Sequence, residues 1–376
     1  MDRRSFLYKT GAAGLAFAAL GMGACAPGAG SLYRQPAPAF SARRLPKVKI
    51  SMDRIVKETV GLRPYRLSGP NLGVQLLDQK TIIHNYGHGG SGFSLSWGTG
   101  QIAAAHAVAT GEQEIAIMGC GVIGLTTARL LQEKGLQVTI YAKELWPRIT
   151  SSMATGTWSP AHLLCEDEFV TPEFKATWEK ACLFSFQSYQ NMLGLGDVVT
   201  WIDHFVIDGK ATGQPPKLQI PGLLPDQMVL SRRQHPFRAD RVVNQPGMMF
   251  NIPSYLQKLT QDFLAFGGKV RIREFKTLEE VDALPERCVV NCTGLGSKEL
   301  FGDEQLMPIS GQLSFLIPQP EINYRLSTPH GYVIPRKDGL VLGGNAIRNN
   351  WNTTPDPNQT EITVAAINEV MAEMRG

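Results

Sequence analysis

The chain has 376 residues, of which 43% are hydrophobic and 19% are charged, and its formal net charge is +4. A chain of this length and composition can bury a large core and is typical of a globular protein with two domains. The charge excess is small and lies partly at the N-terminus, and no basic run occurs elsewhere, which argues against a nucleic-acid partner.

The N-terminal segment, 1–26, predicts an export signal. Arg3 and Arg4 are adjacent, and an uncharged stretch rich in Gly and Ala follows. This pattern is typical of a twin-arginine signal, whereas the stretch is short and Gly-rich for a membrane-spanning helix. Cleavage at an A-x-A site over 24–26 would release the protein into the periplasm. A lipoprotein box ending at Cys25 would instead leave a lipid anchor.

The six cysteines do not form a disulfide framework. Cys25 belongs to the signal, and Cys120 lies inside a glycine-rich loop. Cys288 and Cys292 are too far apart along an extended run to be bridged. We therefore expect the cysteines to be mostly free and buried.

A linker rich in Pro, Ser and Arg over 27–46 leads into extended segments that are predicted to end in a turn at Arg63 and Pro64. The stretch TIIHNYGHGGSGFSLSWGTG then places several glycines where backbone can approach a flat ligand or a phosphate, just before a short helix that ends at Ala109. His84 and His88 are an alternative metal-ligand pair. The glycines disfavour a helix that would align the two rings, so no metal is expected.

The stretch EIAIMGCGVIGLTTARLLQEKGLQVTIY predicts a strand, a glycine loop, an amphipathic helix and a second strand. Gly119, Gly121 and Gly124 have the G-x-G-x-x-G spacing. This spacing turns the chain tightly, brings bare backbone against a pyrophosphate and packs the helix close to the strand. An ordinary turn between strand and helix is the alternative, but three glycines in register inside such a unit rarely coincide. A dinucleotide is therefore expected.

The expected dinucleotide contacts extend beyond the three glycines. The phosphates would lie at the helix N-terminus, beside Val122 and Ile123. A carboxylate at the end of the second strand usually holds the ribose hydroxyls, and here Lys143 comes first with Glu144 beside it.

The region 165–245 carries no motif and is expected to belong to a domain that covers the substrate. The regular segments predicted after it are a helix over 250–267, a strand over 269–275, a buried strand and glycine turn over 289–296, a hairpin over 331–344 and an amphipathic helix over 361–374. By itself, 289–296 could be any buried parallel strand with a glycine exit. Two glycine turns of this kind in one chain favour FAD over NAD.

The segments VGLRPYRLSGP and IIHNYGHGGSGFSLSWG resemble the carboxyl-terminal signature of the D-amino-acid oxidase family of flavoproteins. The segments YAKELWPRITSSMATGTWSP, RCVVNCTGLGSKELFG, PISGQL and GYVIPRKDGLVLGGNAIRNNWN also resemble blocks of that family. The likeness covers nearly everything after Val48. It implies an α/β fold with a Rossmann-type FAD-binding domain and a second, mixed β-sheet substrate domain, both discontinuous.

The resemblance divides the chain after the signal and linker into alternating segments. FAD-binding segments are expected over 80–165 and 245–309. Substrate-domain segments are expected over 47–79, 166–244 and 310–376.

The resemblance also implies which residues contact FAD. Beyond the glycine unit, the expected FAD contacts lie in three loops: Gly89, Gly90, Gly92, Phe93 and Ser94 before and in the first helix; Thr150, Ser151, Ser152, Gly156, Thr157 and Trp158 after the second strand; and Thr293 in the second glycine turn. For the Ser and Thr residues after the second strand, a solvated loop without a ligand is the alternative.

The implied reaction is oxidation of a D-amino acid by hydride transfer from Cα to flavin N5. The resulting imine is hydrolysed to a keto acid, and O2 reoxidises the flavin and yields H2O2. Arg63 would bind the α-carboxylate through a bidentate fork, Tyr332 would add a hydroxyl, and the Gly90 carbonyl would accept a hydrogen bond from the amino group. Arg336 and Arg348 are the next candidates for the carboxylate anchor.

Several points stay open at this level. A surface ion pair is the alternative for Arg63, and a tyrosine packed in a sheet is the alternative for Tyr332. Thr328 stands where many relatives carry a second tyrosine, so the side-chain preference is not transferable. An exported dehydrogenase that passes electrons to a quinone or another acceptor is the alternative function. The substrate, an amino acid or amine, and the oligomeric state are not indicated.

The order of the blocks departs from the family, whose members begin with the glycine unit and end with the Arg-Pro and HNYGHGG blocks. Here those final blocks come first. A circular permutation is the simplest explanation, because chain ends in compact folds often lie close together. It requires the C-terminal helix to lead back to the segment near Ile50.

Overall fold

The chain folds into two β-sheets with helices packed against them. The computed structural model describes residues 45–208 and 217–375, which belong to one compact unit. The predicted signal 1–26, with Cys25, and nearly all of the predicted linker 27–46 lie outside the described residues.

The strands of the described residues, in chain order, are β1 (Ile55–Arg66), β2 (Val74–Leu77), β3 (Lys80–His84), β4 (Glu114–Met118), β5 (Gln137–Ala142), β6 (Val199–Ile207), β7 (Met228–Leu230), β8 (Val242–Asn244), β9 (Gly247–Phe250), β10 (Lys269–Ile272), β11 (Cys288–Asn291), β12 (Leu306–Leu316), β13 (Tyr324–Thr328), β14 (Gly331–Arg336), β15 (Gly339–Gly343) and β16 (Ile347–Arg348).

The helices are α1 (Gly92–Ala109), α2 (Val122–Glu133), α3 (Pro172–Gln190), α4 (Ile252–Ala265), α5 (Leu278–Asp282), α6 (Ser297–Leu300) and α7 (Pro357–Glu373). Within the described residues, no helix combines the length and the apolar character that a membrane crossing needs.

The smaller sheet has six strands in the order β10-β5-β4-β11-β3-β2, all parallel except β2. Alternate residues of β4 face opposite sides. Ile115 and Ile117 join the cluster under α1, α2 and α4, while Ala116 and Met118 join a cluster with Val281 of α5. A parallel strand covered on both faces is hydrophobic throughout, which explains the unbroken apolar run that the sequence shows here.

The order of this sheet creates a switch point between β4 and β11. The connection from β4 leads through α2 to β5 on one side, whereas β3 lies on the other side of β11. Five of the strands thus have the 3-2-1-4-5 arrangement of a Rossmann-type fold, with β4 first and β3 in the last position. Ligands of such sheets bind where the loops after the two central strands separate. The predicted fold class is confirmed.

The larger sheet has ten strands, with the path β1-β12-β15-β14-β13-β6-β8-β7, and with β16 paired to β12 and β9 paired to β6. Its pairs are antiparallel except for β13 with β6. The C-terminal helix α7 covers one face, where Val364 and Ile367 pack against Val333 and Leu342. The predicted hairpin over 331–344 is confirmed as β14 and β15.

The predicted turn at Arg63 and Pro64 is wrong, because β1 continues to Arg66. The strand is paired along its length with β12, and Pro64 stands opposite Pro308. β1 is an edge strand of the larger sheet. A proline is tolerated there, since no second neighbour needs its missing N–H.

The region without a motif contains a regular helix that the sequence analysis does not predict. α3 begins with Pro172, and the side chain of Thr171 accepts a hydrogen bond from the Phe174 N–H at its N-terminus. It packs closely on α1, because a Cβ at Gly98 would lie 2.0 Å from the Ala181 carbonyl oxygen.

The sheets divide the chain at different places from the predicted segments. β2, within 47–79, forms a hairpin with β3 and joins the smaller sheet. β9, within 245–309, pairs with β6 of the larger sheet, and β12 begins before 310.

The described cysteines are all free, as predicted: Cys120, Cys165, Cys182, Cys288 and Cys292. Cys165 is half-buried and the others are buried.

The C-terminal helix leads back to the first described residues. The Val48 N–H contacts Met371 Sδ at 3.1 Å, and Ile50 and Met374 belong to the same buried cluster. The two ends of the described chain are therefore neighbours, as a permuted order requires.

Candidate active site

A cavity of about 850 Å³ lies where the switch point of the smaller sheet meets the larger sheet. The glycine loop after β4 and the turn after β11 form one wall. β1, β13 and β14 contribute Arg63, Arg325 and Tyr332 to the other wall. The starts of α1 and α2 also reach the cavity, through Gly92 and Val122.

The glycine loop is pressed against its neighbours so closely that side chains have no room. Gly119 has φ +104°, and a Cβ there would lie 2.5 Å from the Cys292 carbonyl oxygen in the turn after β11. A Cβ at Gly124 would lie 2.1 Å from the Gly119 carbonyl oxygen. Contacts this short exclude any side chain, so the loop presents bare backbone to the cavity.

A second stretch of bare backbone lies at Gly89 and Gly90. A Cβ at Gly89 would lie 1.8 Å from the Leu163 carbonyl oxygen, and one at Gly90 would lie 2.6 Å from His162 Cδ2. The fold therefore requires glycine at both positions and holds their backbone at the cavity wall.

Most of the predicted cofactor residues line the cavity: Gly89, Gly90, Gly92, Phe93, Gly119, Gly121, Val122, Ile123, Lys143, Glu144, Thr150, Ser151, Thr157 and Thr293. Ser151 Oγ accepts a hydrogen bond from the Val122 N–H at 3.0 Å, so it also caps α2. Lys143 forms an exposed ion pair with Glu274 at 3.8 Å.

The remaining predicted cofactor residues lie behind the wall. Gly124 packs on the glycine loop, and Gly156 has φ +85° and packs against the Phe250 carbonyl oxygen. Ser94 Oγ accepts a hydrogen bond from the Ser159 N–H. Ser152 Oγ and Trp158 Nε1 are buried without a hydrogen-bond partner.

The turn after β11 is held by a buried polar network. Thr293 donates to Asn291 Oδ1 from its N–H at 3.1 Å and from its hydroxyl at 2.8 Å. Asn291 Nδ2 donates to His84 Nδ1 at 3.1 Å and to Ser297 Oγ at 3.0 Å. This network fixes the position of Thr293 at the cavity.

The two histidines of the alternative metal site form hydrogen bonds to different residues. His84 contacts Asn291 and Gln75, whereas His88 Nε2 contacts Thr99 Oγ1 at 3.0 Å. Burial lowers the pKa of His84 to about 4 and that of His88 to about 3, so both rings are neutral at neutral pH. Their geometry is that of structural hydrogen-bonding groups.

Arg63 extends from β1 across a glycine of the neighbouring strand. A Cβ at Gly311 of β12 would lie 2.1 Å from Arg63 Nη1. Nη1 is buried and has no hydrogen-bond partner. Burial lowers the pKa of Arg63, and the nearby Tyr332 phenol opposes this shift. The guanidinium still carries its charge at neutral pH.

Tyr332 of β14 also extends across a glycine of the neighbouring strand. It stands opposite Gly343 of β15, where a Cβ would lie 2.3 Å from the Tyr332 hydroxyl oxygen. Burial raises the pKa of Tyr332, and the charges of Arg63 and Arg325 oppose the rise. The hydroxyl is thus a neutral hydrogen-bond donor in the range where an amino acid is a zwitterion.

The sequence analysis misses two residues of this wall. Arg325 of β13 and His162 both line the cavity. Burial lowers the pKa of His162 to about 4, with the charges of Arg63 and Arg325 as further causes. The burial pattern of β13, with Tyr324 and Leu326 inside, places Arg325 on the opposite face, but the sequence does not show that this face meets the cavity.

The other two candidate anchors are engaged elsewhere. Arg336 forms two hydrogen bonds to the carboxylate of Asp338, at 2.8 and 2.5 Å. Arg348 pairs with Glu166 and is about half exposed. Neither lines the cavity. Of the three described arginines that do, Arg273 donates to the Glu280 carbonyl oxygen at 3.2 Å, whereas Arg63 and Arg325 each have a buried N–H without a hydrogen-bond partner.

Comparison with known proteins places these features in a family. A family profile described as FAD dependent oxidoreductase (DAO) matches residues 114–375. A D-amino-acid oxidase of Streptomyces coelicolor is 30% identical over 287 residues, covering 69% of this chain and 78% of that protein. A D-amino acid oxidase of Dugesia ryukyuensis is 27% identical over 256 residues, covering 66% and 74%.

Among solved structures, glycine oxidase from Geobacillus kaustophilus has a TM-score of 0.50 at 13% identity, covering 70% of this chain and 80% of that chain. This likeness supports the fold alone. The bare backbone at the switch point and the two helix starts fit a dinucleotide such as FAD.

We predict that Gly124→Ala weakens FAD binding. The new Cβ would meet the Gly119 carbonyl oxygen and push α2 away from the loop, so affinity should fall at least about tenfold, equivalent to about 1.4 kcal/mol. Flavin absorbance per protein after desalting measures the loss. Gly247→Ala is the control, since a Cβ there meets nothing within 4 Å.

Acid precipitation of the parent protein should release the flavin, because its contacts are expected to be non-covalent. A yellow pellet, or full flavin content in the Gly124→Ala variant, would contradict this assignment.

Proposed function

The chain belongs to the DAO family of FAD-dependent oxidoreductases, and from that membership we propose that it catalyses oxidative deamination of D-amino acids. The amino acid loses a hydride and a proton to become an imine, which water hydrolyses to a keto acid and ammonia. Bound FAD supplies the hydride acceptor, and O2 then takes up the two electrons as H2O2. The names of the two D-amino-acid oxidase relatives support the choice of substrate class.

One observation carries the proposal. The Arg63 guanidinium lies in the cavity wall with a buried, unpaired N–H, and it shares its surroundings with the Tyr332 hydroxyl. A buried cation without a partner is costly, and a ligand carboxylate would relieve that cost. The α-carboxylate of an amino acid fits the planar fork of arginine.

Three groups of this chain would orient the substrate. Arg63 would bind the α-carboxylate, the Tyr332 hydroxyl would donate a further hydrogen bond to it, and the Gly90 carbonyl would accept one from the amino group. Attachment at three points determines which face of Cα presents its hydrogen, and so distinguishes the two enantiomers. The close packing of Gly89 and Gly90 on 162–163 keeps the carbonyl in place.

The reaction is tested on purified, flavin-loaded protein with D- and L-amino acids. H2O2 release and the reduction of an artificial electron acceptor are measured in parallel. We expect the D-enantiomers to react and to yield H2O2. Turnover restricted to the artificial acceptor would indicate the dehydrogenase alternative, and a preference for L-amino acids would contradict the stereochemical assignment.

We predict that Arg63→Leu abolishes most turnover while leaving the flavin bound. Loss of a charge-assisted bidentate contact should cost on the order of 3 kcal/mol, about a hundredfold in kcat/KM. Gly311→Ala should act in the same direction, because its Cβ would occupy the place of the guanidinium. Amines without a carboxylate are the control substrates and should be little affected. A Leu variant that oxidises D-amino acids at the parent rate would exclude Arg63 as the anchor.

Circular permutation is part of the same proposal. The family profile begins to match at 114, β3 occupies the last position of the parallel order although it precedes β4, and 48–50 packs against 371–374. The loop 110–113 between α1 and β4 would join what are the two natural ends in the family.

A rearranged chain tests the permutation. It begins at Glu114, runs to Gly376 and continues through a short linker into 48–110. We expect it to fold and bind FAD, because the cut and the junction both lie outside the strands and helices. The same rearrangement with the cut inside α2 is the control and should fail. An insoluble or flavin-free product from the first cut would count against permutation.

We also propose export by the twin-arginine route, supported by Arg3, Arg4 and the apolar segment that follows. Export of a folded chain would allow the cofactor to bind before transport. Replacing both arginines by lysine should retain the protein in the cytoplasmic fraction, as measured by fractionation and activity. Cys25→Ala should remove a lipid anchor if one is present, which mass spectrometry of the mature protein would detect. Unchanged periplasmic delivery by the lysine variant would refute this route.

A further inference from the structure

The larger sheet contributes two cations to the cavity wall, one more than an α-carboxylate can neutralise. Arg325 lines the same wall as Arg63, and its Nε is buried without a hydrogen-bond partner. The rest of its side chain is half-buried and faces the cavity. Burial lowers the pKa of Arg325, and Tyr332 opposes the shift, so the group is desolvated in the same way as Arg63.

Arg63 and Arg325 both lie near the hydroxyl of Tyr332. In the ladder between β13 and β14, Ser327 stands opposite Tyr332, so Arg325 is its diagonal neighbour on the same face. Tyr332 lies within the electrostatic influence of both Arg63 and Arg325. A small ligand at the Tyr332 hydroxyl would therefore be within reach of both forks.

Three other arginines of low exposure among the described residues have partners. The buried Arg129 donates to the Gln132 side-chain oxygen at 2.6 Å and lies over the Phe266 ring. Arg336 is paired with Asp338, and Arg66 is paired with Asp303 at 2.8 Å. Arg54 also has an unpaired Nε, but it does not line the cavity. Among the described arginines that line the cavity, only Arg63 and Arg325 have a buried N–H without a hydrogen-bond partner.

The described residues of the larger sheet supply no negative charge to this part of the cavity. Its lining carboxylates, Glu144, Glu274 and Glu299, all belong to loops and helices of the smaller sheet, and Glu274 pairs with Lys143. Among the described lining residues from the larger sheet there is no carboxylate. His162 is neutral above a pKa of about 4 and does not offset either cation.

We propose that the substrate is an amino acid with a second carboxylate, whose side-chain carboxylate binds Arg325 while its α-carboxylate binds Arg63. The proposal rests on the proposed oxidation of D-amino acids and narrows its substrate class to the acidic ones. A substrate with one carboxylate would leave Arg325 desolvated and unpaired, whereas a dicarboxylate satisfies both guanidinium groups.

The parent enzyme is tested with D-aspartate and D-glutamate against D-asparagine and D-glutamine, which have the same shapes without the second charge. We expect kcat/KM to favour the acids at least about tenfold, since a charged hydrogen bond is replaced by a neutral one. Equal or faster turnover of the amides would overturn the proposal. If other D-amino acids react and the acids do not, this proposal fails while the proposed function stands. If no D-amino acid reacts, the proposed function fails, and the binding experiment below still tests Arg325.

Arg325→Met removes one of the two guanidinium groups and keeps Arg63, so it tests the role of Arg325 alone. For the acids, kcat/KM should fall about a hundredfold, whereas for the amides it should change less than about threefold, so that the preference disappears. Arg325→Lys should retain part of it. Arg348→Met, which removes a surface arginine outside the lining, is the matched control and should keep the parental preference. Loss of flavin from Arg325→Met, or an equal loss for acids and amides, would assign Arg325 to the cofactor or to the fold instead.

Binding without turnover gives a second readout. At constant ionic strength, succinate should raise the Tm of the flavin-loaded parent more than its monoamide succinamate does, because ligand binding stabilises the folded state. Arg325→Met should lose this difference. Its ligand-free Tm should equal or exceed that of the parent, because the substitution removes a buried charge that has no partner. A lower ligand-free Tm, or an unchanged preference for succinate, would contradict the proposal.

Discussion

The contact between the glycine loop and the turn after β11 is the constraint on which the site depends. At Gly119 a single added carbon would collide with the Cys292 carbonyl oxygen of that turn at 2.5 Å, and at Gly124 it would collide with the loop's own Gly119 carbonyl oxygen at 2.1 Å. Because the two loops meet through backbone alone, β4 and β11 stay adjacent while the chain connections leave in opposite directions. The opening that results is the cavity, and its wall is backbone that a dinucleotide can approach.

On the substrate side of the cavity, glycines of the larger sheet also allow close approach. Gly311 makes room for the Arg63 guanidinium, and Gly343 makes room for the Tyr332 phenol. Each glycine stands on a strand beside the one that carries the functional side chain, so the sheet itself positions both groups. Glycine weakens a strand interior, and a buried unpaired cation costs folding free energy. Both features lower the stability of the ligand-free protein at a place where ligand binding can restore it, which is typical of binding sites.

Much of the smaller sheet was predictable because its signals are local. The spacing of Gly119, Gly121 and Gly124, the helix end before Gly135 and the apolar runs on either side all lie within one supersecondary unit. The same holds for the hairpin of β14 and β15. The position of β1 was mispredicted, because a Pro-containing segment reads as a turn unless it is known to be an edge strand. α3 was missed because its apolar residues are interspersed with polar ones.

By itself, the sequence determined the fold class, the FAD family and the identity of Arg63 and Tyr332 as site candidates, since motifs and block resemblance are carried by neighbouring residues. Only the tertiary structure decided that Arg325 and His162 join them. They are 163 positions apart in the chain, with Arg325 on a strand and His162 in a turn, and only the packing of distant segments brings both to the cavity. It also decided that Arg336 and Arg348 are excluded, because their partners, Asp338 and Glu166, satisfy them outside the cavity. A charged residue shows its role only when its partners, or their absence, are known in three dimensions.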